Sequence, residues 1–199
     1  VMNETMLEEG RNNFICALYR DSRGTGACFC DVSTGECAAG VFAPEEGEHL
    51  YNELGRYSPR EAVLSDGAYS DGELTAFLTR RLGCRCENGG LLSYLYETQK
   101  TDLSHIAVLT WLAEGQYMEL DLTARRNLEL TETIRSKDKR GSLLGVLDKT
   151  RTPMGHRLIR AWMARPLLSP AAISRRLGAV EALVNEAIPR QELSAVLRE

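Results

Sequence analysis

Chemistry in this 199-residue chain would have to be built from three histidines, six cysteines and a scatter of carboxylates. His49, His105 and His156 each stand in a helix-like or connecting stretch, with no serine or cysteine nucleophile signature beside them. Triads assemble from residues distant in sequence, so spacing alone leaves that route open. Cys28 and Cys30 are two residues apart, as are Cys84 and Cys86, while Cys16 and Cys37 stand singly. Structural zinc takes ligands from loops and knuckles at spacings of two to four. Cys28-Phe29-Cys30 instead lies in an apolar, strand-like run, where free cysteine acts as a small buried hydrophobe. With no leading secretory signal, a disulfide framework is not expected, so the reading is buried thiols and no metal. Gly24-Thr25-Gly26 lacks the further glycine and the following helix of a phosphate loop, and no lysine completes a nucleotide-binding motif.

The charges divide the chain. Residues 1–100 hold 9 Lys and Arg against 16 Asp and Glu, and residues 101–199 hold 15 against 12. Between Thr123 and Arg165 the count is 11 basic to 4 acidic. Such asymmetry suggests two units with different surroundings, and either a solvated helical face or phosphate contact produces it. Nothing approaches the apolar length of a membrane span, and the expected location is the cytoplasm.

The elements that must position these residues change character at Gly89-Gly90. Asn13 to Tyr19, Ala27 to Val32 and Glu36 to Phe42 read as strands joined by short turns, hence an antiparallel meander. Pro44 opens a helix with Leu50, Leu54 and Tyr57 at helical spacing. Glu61 to Ser65 reads as a strand ended by Asp66-Gly67. Ser70 with Glu73 reads as a capping box for a helix bearing Leu74, Phe77, Leu78 and Leu82, closed by Gly83. Cys84 to Glu87 is a last short strand. This order predicts an α/β domain with a mixed sheet, of the ribonuclease H-like type, over residues 1–90.

Residues 91–199 read as a helical segment. Leu91 to about Thr101 suggests a helix, and His105 to Leu112 reads as either a strand or a buried connector. From Asp121 onward the signals are helical throughout, with Asp121 as an N-cap and Ser142 ahead of Leu143, Leu144, Val146 and Leu147. Thr152-Pro153 starts a helix carrying Met154, Leu158 and Trp162, and Arg165-Pro166 ends it. Ser169-Pro170 starts another with Ile173, Leu177, Val180, Val184 and Ala187 in one stripe. Pro189 reads as the start of a last helix, with Leu193, Val196 and Leu197 on its apolar face. That apolar ending reads as a segment of a longer protein.

A ribonuclease H-like domain supports two-metal phosphodiester cleavage when carboxylates converge from its first strand, first helix and fourth strand. Glu48, Glu53 and Asp66 occupy the second and third of these places, and Asp31 ends the second strand. The first strand has no acid between Phe14 and Tyr19. A nuclease is therefore the weaker alternative.

The ordered string Leu120-Asp121-Leu122-Thr123-Ala124-Arg125-Arg126-Asn127-Leu128-Glu129-Leu130 resembles the segment that opens the lever domain of MutS DNA mismatch-repair proteins. Ser142-Leu143-Leu144-Gly145-Val146-Leu147-Asp148-Lys149-Thr150-Arg151-Thr152-Pro153-Met154-Gly155-His156-Arg157 and its continuation to Trp162 follow at the family's separation. Arg165-Pro166-Leu167 and the stretch from Arg176 to Glu181 extend the match. Upstream, Asp31 to Glu36 is similar to a hairpin of the family's connector domain, and Glu97 to Lys100 with Leu103 and His105 to its exit helix. The likeness covers essentially the whole chain. It departs at Cys84 to Gly90, where the family has a longer stretch before the exit helix.

The resemblance implies a connector followed by the first part of a helical lever, a scaffold that passes conformational change between ATPase and DNA-binding parts. It implies no cofactor within these residues, with ATP and magnesium bound elsewhere in a homodimeric parent. It also implies mismatched duplex DNA and a MutL-type protein as that parent's partners. Of the matched residues, Arg126, Asn127, Asp148, Thr150, Thr152, Pro153, Gly155 and Arg157 read as structural. Gly155 would let another backbone approach the first turn of its helix. Arg126, Arg157 and Arg160 are expected to pair with Asp148 or Glu129. Arg125, Arg126, Lys137 and Arg140 are the candidates for DNA-backbone contact, and a DNA-binding module built on residues 123–165 is the other alternative.

Overall fold

A computed structural model describes residues 12–91, 94, 108–112 and 115–197. These fall into two compact units, one reaching Leu112 and the other starting at Gly115. The composition break at Gly89-Gly90 lies inside the first.

The first unit is built on a mixed sheet. β1 (Phe14–Asp21) and β2 (Gly24–Asp31) form a hairpin, and β3 (Glu36–Phe42) continues the meander. The Asp21 carboxylate holds the first turn by accepting the Arg23 backbone N–H at 2.8 Å, the local bonding that favours aspartate in turns. β4 (Glu61–Leu64) returns parallel to β1, and β5 (Arg85–Asn88) lies parallel to β4. β6 (Val108–Trp111) pairs in parallel with the far edge of β3, giving the order β5-β4-β1-β2-β3-β6. The His105 to Leu112 stretch is thus a strand over its described part. It is not a buried connector, because Val108, Leu109 and Trp111 are exposed.

Between β3 and β5 run α1 (Gly47–Tyr57), α2 (Asp66–Tyr69) and α3 (Gly72–Ala76), the last continuing into a wide turn at Phe77–Arg81. The Ser70 capping box is corrected. Asp71 caps α3 by accepting the Glu73 and Leu74 N–H groups at 3.0 Å, while Ser65 caps the preceding turn. Pro44 opens a short 3-10 turn, with α1 proper starting at Gly47.

Alternate strand residues meet these helices. Cys16 and Leu18 stand beside Phe29 and Ala27 of β2 and beside Ala62 and Leu64 of β4, on one face. Leu50, Leu54, Leu74 and Leu78 close over them, and Phe29 stacks on Tyr57 with centroids 4.1 Å apart. On the other face Ile15 and Val63 pack with Val32, Leu91 and Tyr94. Cys30 and Cys37 face each other directly in the β2–β3 register, with Cα atoms 4.3 Å apart, and are joined as a disulfide. The expectation of buried thiols fails at this pair, holds for Cys16 and Cys84, and falls short at Cys28 and Cys86, which are free but only partly buried.

The second unit contains α4 (Leu122–Asn127), α5 (Leu143–Leu147), α6 (Pro153–Ala164), α7 (Pro170–Asn185) and α8 (Ala187–Val196). Helix is not continuous from Asp121, since α4 and α5 are short and turns fill residues 128–142. Asp121, Ser142, Thr152 and Ser169 cap their helices as expected, each side chain accepting a backbone N–H two or three places inside. The last helix starts at Ala187, which puts Pro189 inside its first turn, where a missing N–H costs nothing. Its entry is tied instead by Arg190, whose guanidinium donates to the carbonyls of Leu183 and Val184 at 2.8 Å. The apolar stripes of these helices are exposed: Met154, Leu158, Trp162, Leu177, Val180 and Val184 are all 41% or more accessible. The helix from Leu91 to Thr101 and the match at residues 97–105 lie outside the described residues, apart from Leu91 and Tyr94.

Candidate functional site

The matched segment folds around one carboxylate. Ser142, itself buried, donates to the Lys139 carbonyl at 2.7 Å and accepts the Gly145 N–H at 3.1 Å, so one hydroxyl both ends a turn and starts α5. The N–H groups of Leu143 and Leu144 donate to the carbonyls of Glu129 and Leu130, fixing α5 to the end of the preceding turn. Leu144 is fully buried there. Gly145 is required by sterics, because a Cβ would collide with the Lys139 carbonyl oxygen.

Asp148 follows α5, and its side chain is 2% exposed. One carboxylate oxygen accepts from Lys139 Nζ at 2.6 Å and from His156 Nδ1. The other accepts from the Thr150 hydroxyl at 2.6 Å and the Thr150 N–H at 3.2 Å. Thr152 caps α6 by accepting the Gly155 N–H at 3.0 Å, Pro153 occupies the first helical position, and His156 lies in that first turn. Gly155 faces the Thr150 and Thr152 side chains, each 3.2 Å from where its Cβ would stand. What crowds Gly155 is therefore side chain, where sequence reading expected backbone.

Burial alone would raise the Asp148 pKa. Hydrogen bonds from Lys139 and Thr150, with the His156 charge, outweigh it and hold the carboxyl well below the usual range. Burial lowers the His156 pKa; attraction by Asp148 is offset by Arg160 and Lys139. His156 Nε2 accepts from Arg160 Nε at 3.2 Å, so the ring donates through Nδ1 and is engaged at both nitrogens. A histidine occupied on both sides orients helices and presents no lone pair to a substrate.

The expected pairings are corrected accordingly. Asp148 is held by Lys139, Thr150 and His156, and Arg160 reaches the group through the histidine ring. Glu129 accepts the Ile134 N–H at 2.7 Å. Sequence reasoning missed Lys139 and His156. The available signal was His156 in the first turn behind Pro153, the place from which a side chain reaches back toward the preceding loop. Arg157 is half-buried in α6, and Thr150 is exposed. Of the DNA-contact candidates, Arg126, Lys137 and Arg140 are exposed and Arg125 is half-buried; Asn127 is exposed at the end of α4. Two arginines also pack on rings, Arg165 over Tyr117 at 4.9 Å and Arg176 over Trp162 at 3.9 Å.

The nuclease acids do not converge. Glu53 pairs with Arg56, Glu48 is exposed on α1, and Asp66 accepts from Asn88 at 2.7 Å. Asp31 is buried at the opposite end of the sheet, held by Asn12 and Ser33. The β1 end nearest Asp66 carries Arg20, which pairs with Asp71. Among the described residues no three His, Cys, Asp or Glu side chains converge as a metal site requires. Of the other histidines, His49 packs edge-on against Phe42, and His105 lies outside the described residues. No described helix is long and apolar enough to cross a membrane.

Residues 13–88 match the family model described as MutS domain II, and residues 123–199 match MutS domain III. The chain is 36% identical over 233 residues to the DNA mismatch repair protein MutS of Caldanaerobacter subterraneus, with 99% of the chain and 27% of that protein covered. It is 36% identical over 236 residues to the protein of the same name from Ruminiclostridium cellulolyticum, covering all of the chain and 27% of that protein. The Staphylococcus haemolyticus protein is 34% identical over 227 residues, covering all of the chain and 25% of the relative. The chain thus spans about a quarter of the length of the curated relatives it matches. These matched stretches exceed 199 residues, so the relatives carry residues with no counterpart here. Two family domains in order, each built on the residues described above, make this chain a member of the MutS family of DNA mismatch-repair proteins.

Proposed function

We propose that the chain is a non-catalytic scaffold of a mismatch-recognition protein, a connector over residues 1–90 followed by the first part of the lever. In this reading β6 is drawn back onto the connector sheet from the stretch that leads to the lever. The connector is read as ribonuclease H-like in architecture, which the β3-β2-β1-β4-β5 portion of the strand order supports. ATP, magnesium, mismatched duplex DNA and a MutL-type partner are engaged by the parent protein, read as a cytoplasmic homodimer. The residues here pass conformational change between its parts.

The observation that carries this reading is the Asp148 group. It ties the turn at Lys139, the end of α5 and the start of α6 to one buried carboxylate. A lever must move as a body and not bend at its loops, and such a tie supplies that stiffness. Fluorescence anisotropy with matched and mismatched duplexes, alongside an ATP turnover assay, tests the claim on this chain. The reading expects no turnover and equal affinity for the two duplexes; measurable hydrolysis or preference for the mismatch contradicts it.

A second reading has a specific observation behind it. Arg126, Lys137 and Arg140 are all exposed, as phosphate contacts require. If the segment 123–165 binds DNA, affinity falls steeply with salt, and neutralising Arg125, Arg126, Lys137 and Arg140 flattens that slope. An unchanged slope rejects it.

A further inference from the structure

The six cysteines all lie in the first unit, and three of them meet on the helix-covered face of its sheet. Cys16 on β1 and Cys86 on β5 stand in one row across the sheet, with only Ala62 of β4 between them. Cys84 lies one residue before β5 and belongs to the same cluster. Its position is fixed from both sides. Gly83 makes the entering turn at φ +66°, the Cys84 N–H donates to the Leu78 carbonyl, and the Arg85 N–H donates to the Arg60 carbonyl, both at 2.9 Å. The Cys84 thiol is directed to the Arg85 carbonyl at 3.7 Å and the Cys86 thiol to the Cys84 carbonyl at 4.0 Å. Both sulfurs thus gather around the same short stretch of backbone. β5 is the edge strand of the sheet, and Cys86 is partly exposed on it while Cys84 is buried behind.

We propose that Cys84 and Cys86 form an oxidisable dithiol in which Cys86 attacks a peroxide and Cys84 resolves the product. The Cys86 thiolate sulfur attacks hydrogen peroxide, an S–O bond forms, the O–O bond breaks, and the departing oxygen leaves as water after protonation. The Cys84 sulfur then attacks the sulfenic sulfur of Cys86, an S–S bond forms, and the hydroxide leaves as water with the Cys84 proton. Two thiols lose two electrons and two protons, and one peroxide becomes two waters. The neighbouring Cys84 thiol holds the Cys86 thiol below its ordinary pKa, whereas burial raises those of Cys16 and Cys28. Thiolate character and access therefore coincide at Cys86.

Trypsin gives a direct readout on the whole chain. Cleavage after Arg81, Arg85 and Lys100 places Cys84 in peptide 82–85 and Cys86 in peptide 86–100, and Cys16 falls in peptide 12–20. The chain is reduced, pulsed with hydrogen peroxide, blocked with maleimide, digested and weighed. Peptides 82–85 and 86–100 are expected as one disulfide-linked species, lighter by two hydrogens than their sum. In C84S, Cys86 should stop as a sulfenic acid that dimedone traps. C28S should leave the link forming at its original rate. C86S should slow the fastest phase of maleimide labelling at least about tenfold, with circular dichroism unchanged. Peptides that stay unlinked under peroxide overturn the proposal. So does a link from 86–100 to 12–20, or oxidation that lands first on Cys28.

Discussion

Asp148 shows how one residue can be decided by its surroundings. Its side chain is almost wholly buried, and four donors converge on its two oxygens. Removing the carboxylate in D148A strands the Lys139 and His156 donors and should cost about 2 kcal/mol, the usual scale for hydrogen bonds to a charged group. A urea titration of the chain measures it as a lowered midpoint at an unchanged slope. The pH dependence follows from the two shifts. Asp148 has its folded pKa depressed, so its contribution is present above the unfolded value near 4 and is lost as pH falls below it. His156 also has a lowered folded pKa, so the folded state favours the neutral ring. That contribution is present above about pH 6.5 and lost as pH falls below it. Both have the same sign. Urea midpoints should fall as the pH drops from 7 to about 3, and the part of the fall below about pH 4 should be missing in D148A; a midpoint that rises on acidification contradicts the tie.

At the scale of elements, the helix starts were the most legible part of the sequence. Asp121, Ser142, Thr152 and Ser169 each cap the helix assigned to them, because a cap is a local bond within three residues. T152A should cost about 1 kcal/mol by exposing the Gly155 N–H, readable as a lowered urea midpoint. G145A should cost more, about 2–3 kcal/mol, because its Cβ collides with backbone that a side-chain shift cannot clear. If G145A proves as mild as T152A, the close approach at Lys139 is wrong. The meander was legible too, since turn residues and alternating strands are local signals. What was not legible depends on partners far along the chain. β6 is a strand because β3 offers it an edge, whereas the run His105 to Leu112 by itself left a strand and a buried connector both open. Lys139 and His156 reach Asp148 across a loop, and the Cys30–Cys37 pair depends on the β2–β3 register. Ser70 lost the cap to its neighbour Asp71, whose side chain reaches two N–H groups at once.

At the scale of the molecule, a well-covered sheet in the first unit contrasts with helices in the second whose apolar residues face outward. Periodicity identified those stripes correctly as helical, but it could not say whether anything covers them. The histidine best placed to act is engaged at both nitrogens, and the nuclease acids are spread over both ends of the sheet. The central claim is that the Asp148 group serves coupling, with no part in reading DNA or consuming ATP. The most direct test is D148A in the full-length protein that carries this segment, measuring the rate at which ATP releases it from a mismatched duplex. The account predicts ATP and mismatch affinities within about twofold of the unmodified protein, with ATP-driven release slowed roughly tenfold, which corresponds to about 1.4 kcal/mol of activation free energy. Unchanged release alongside a lowered urea midpoint for this segment would contradict it.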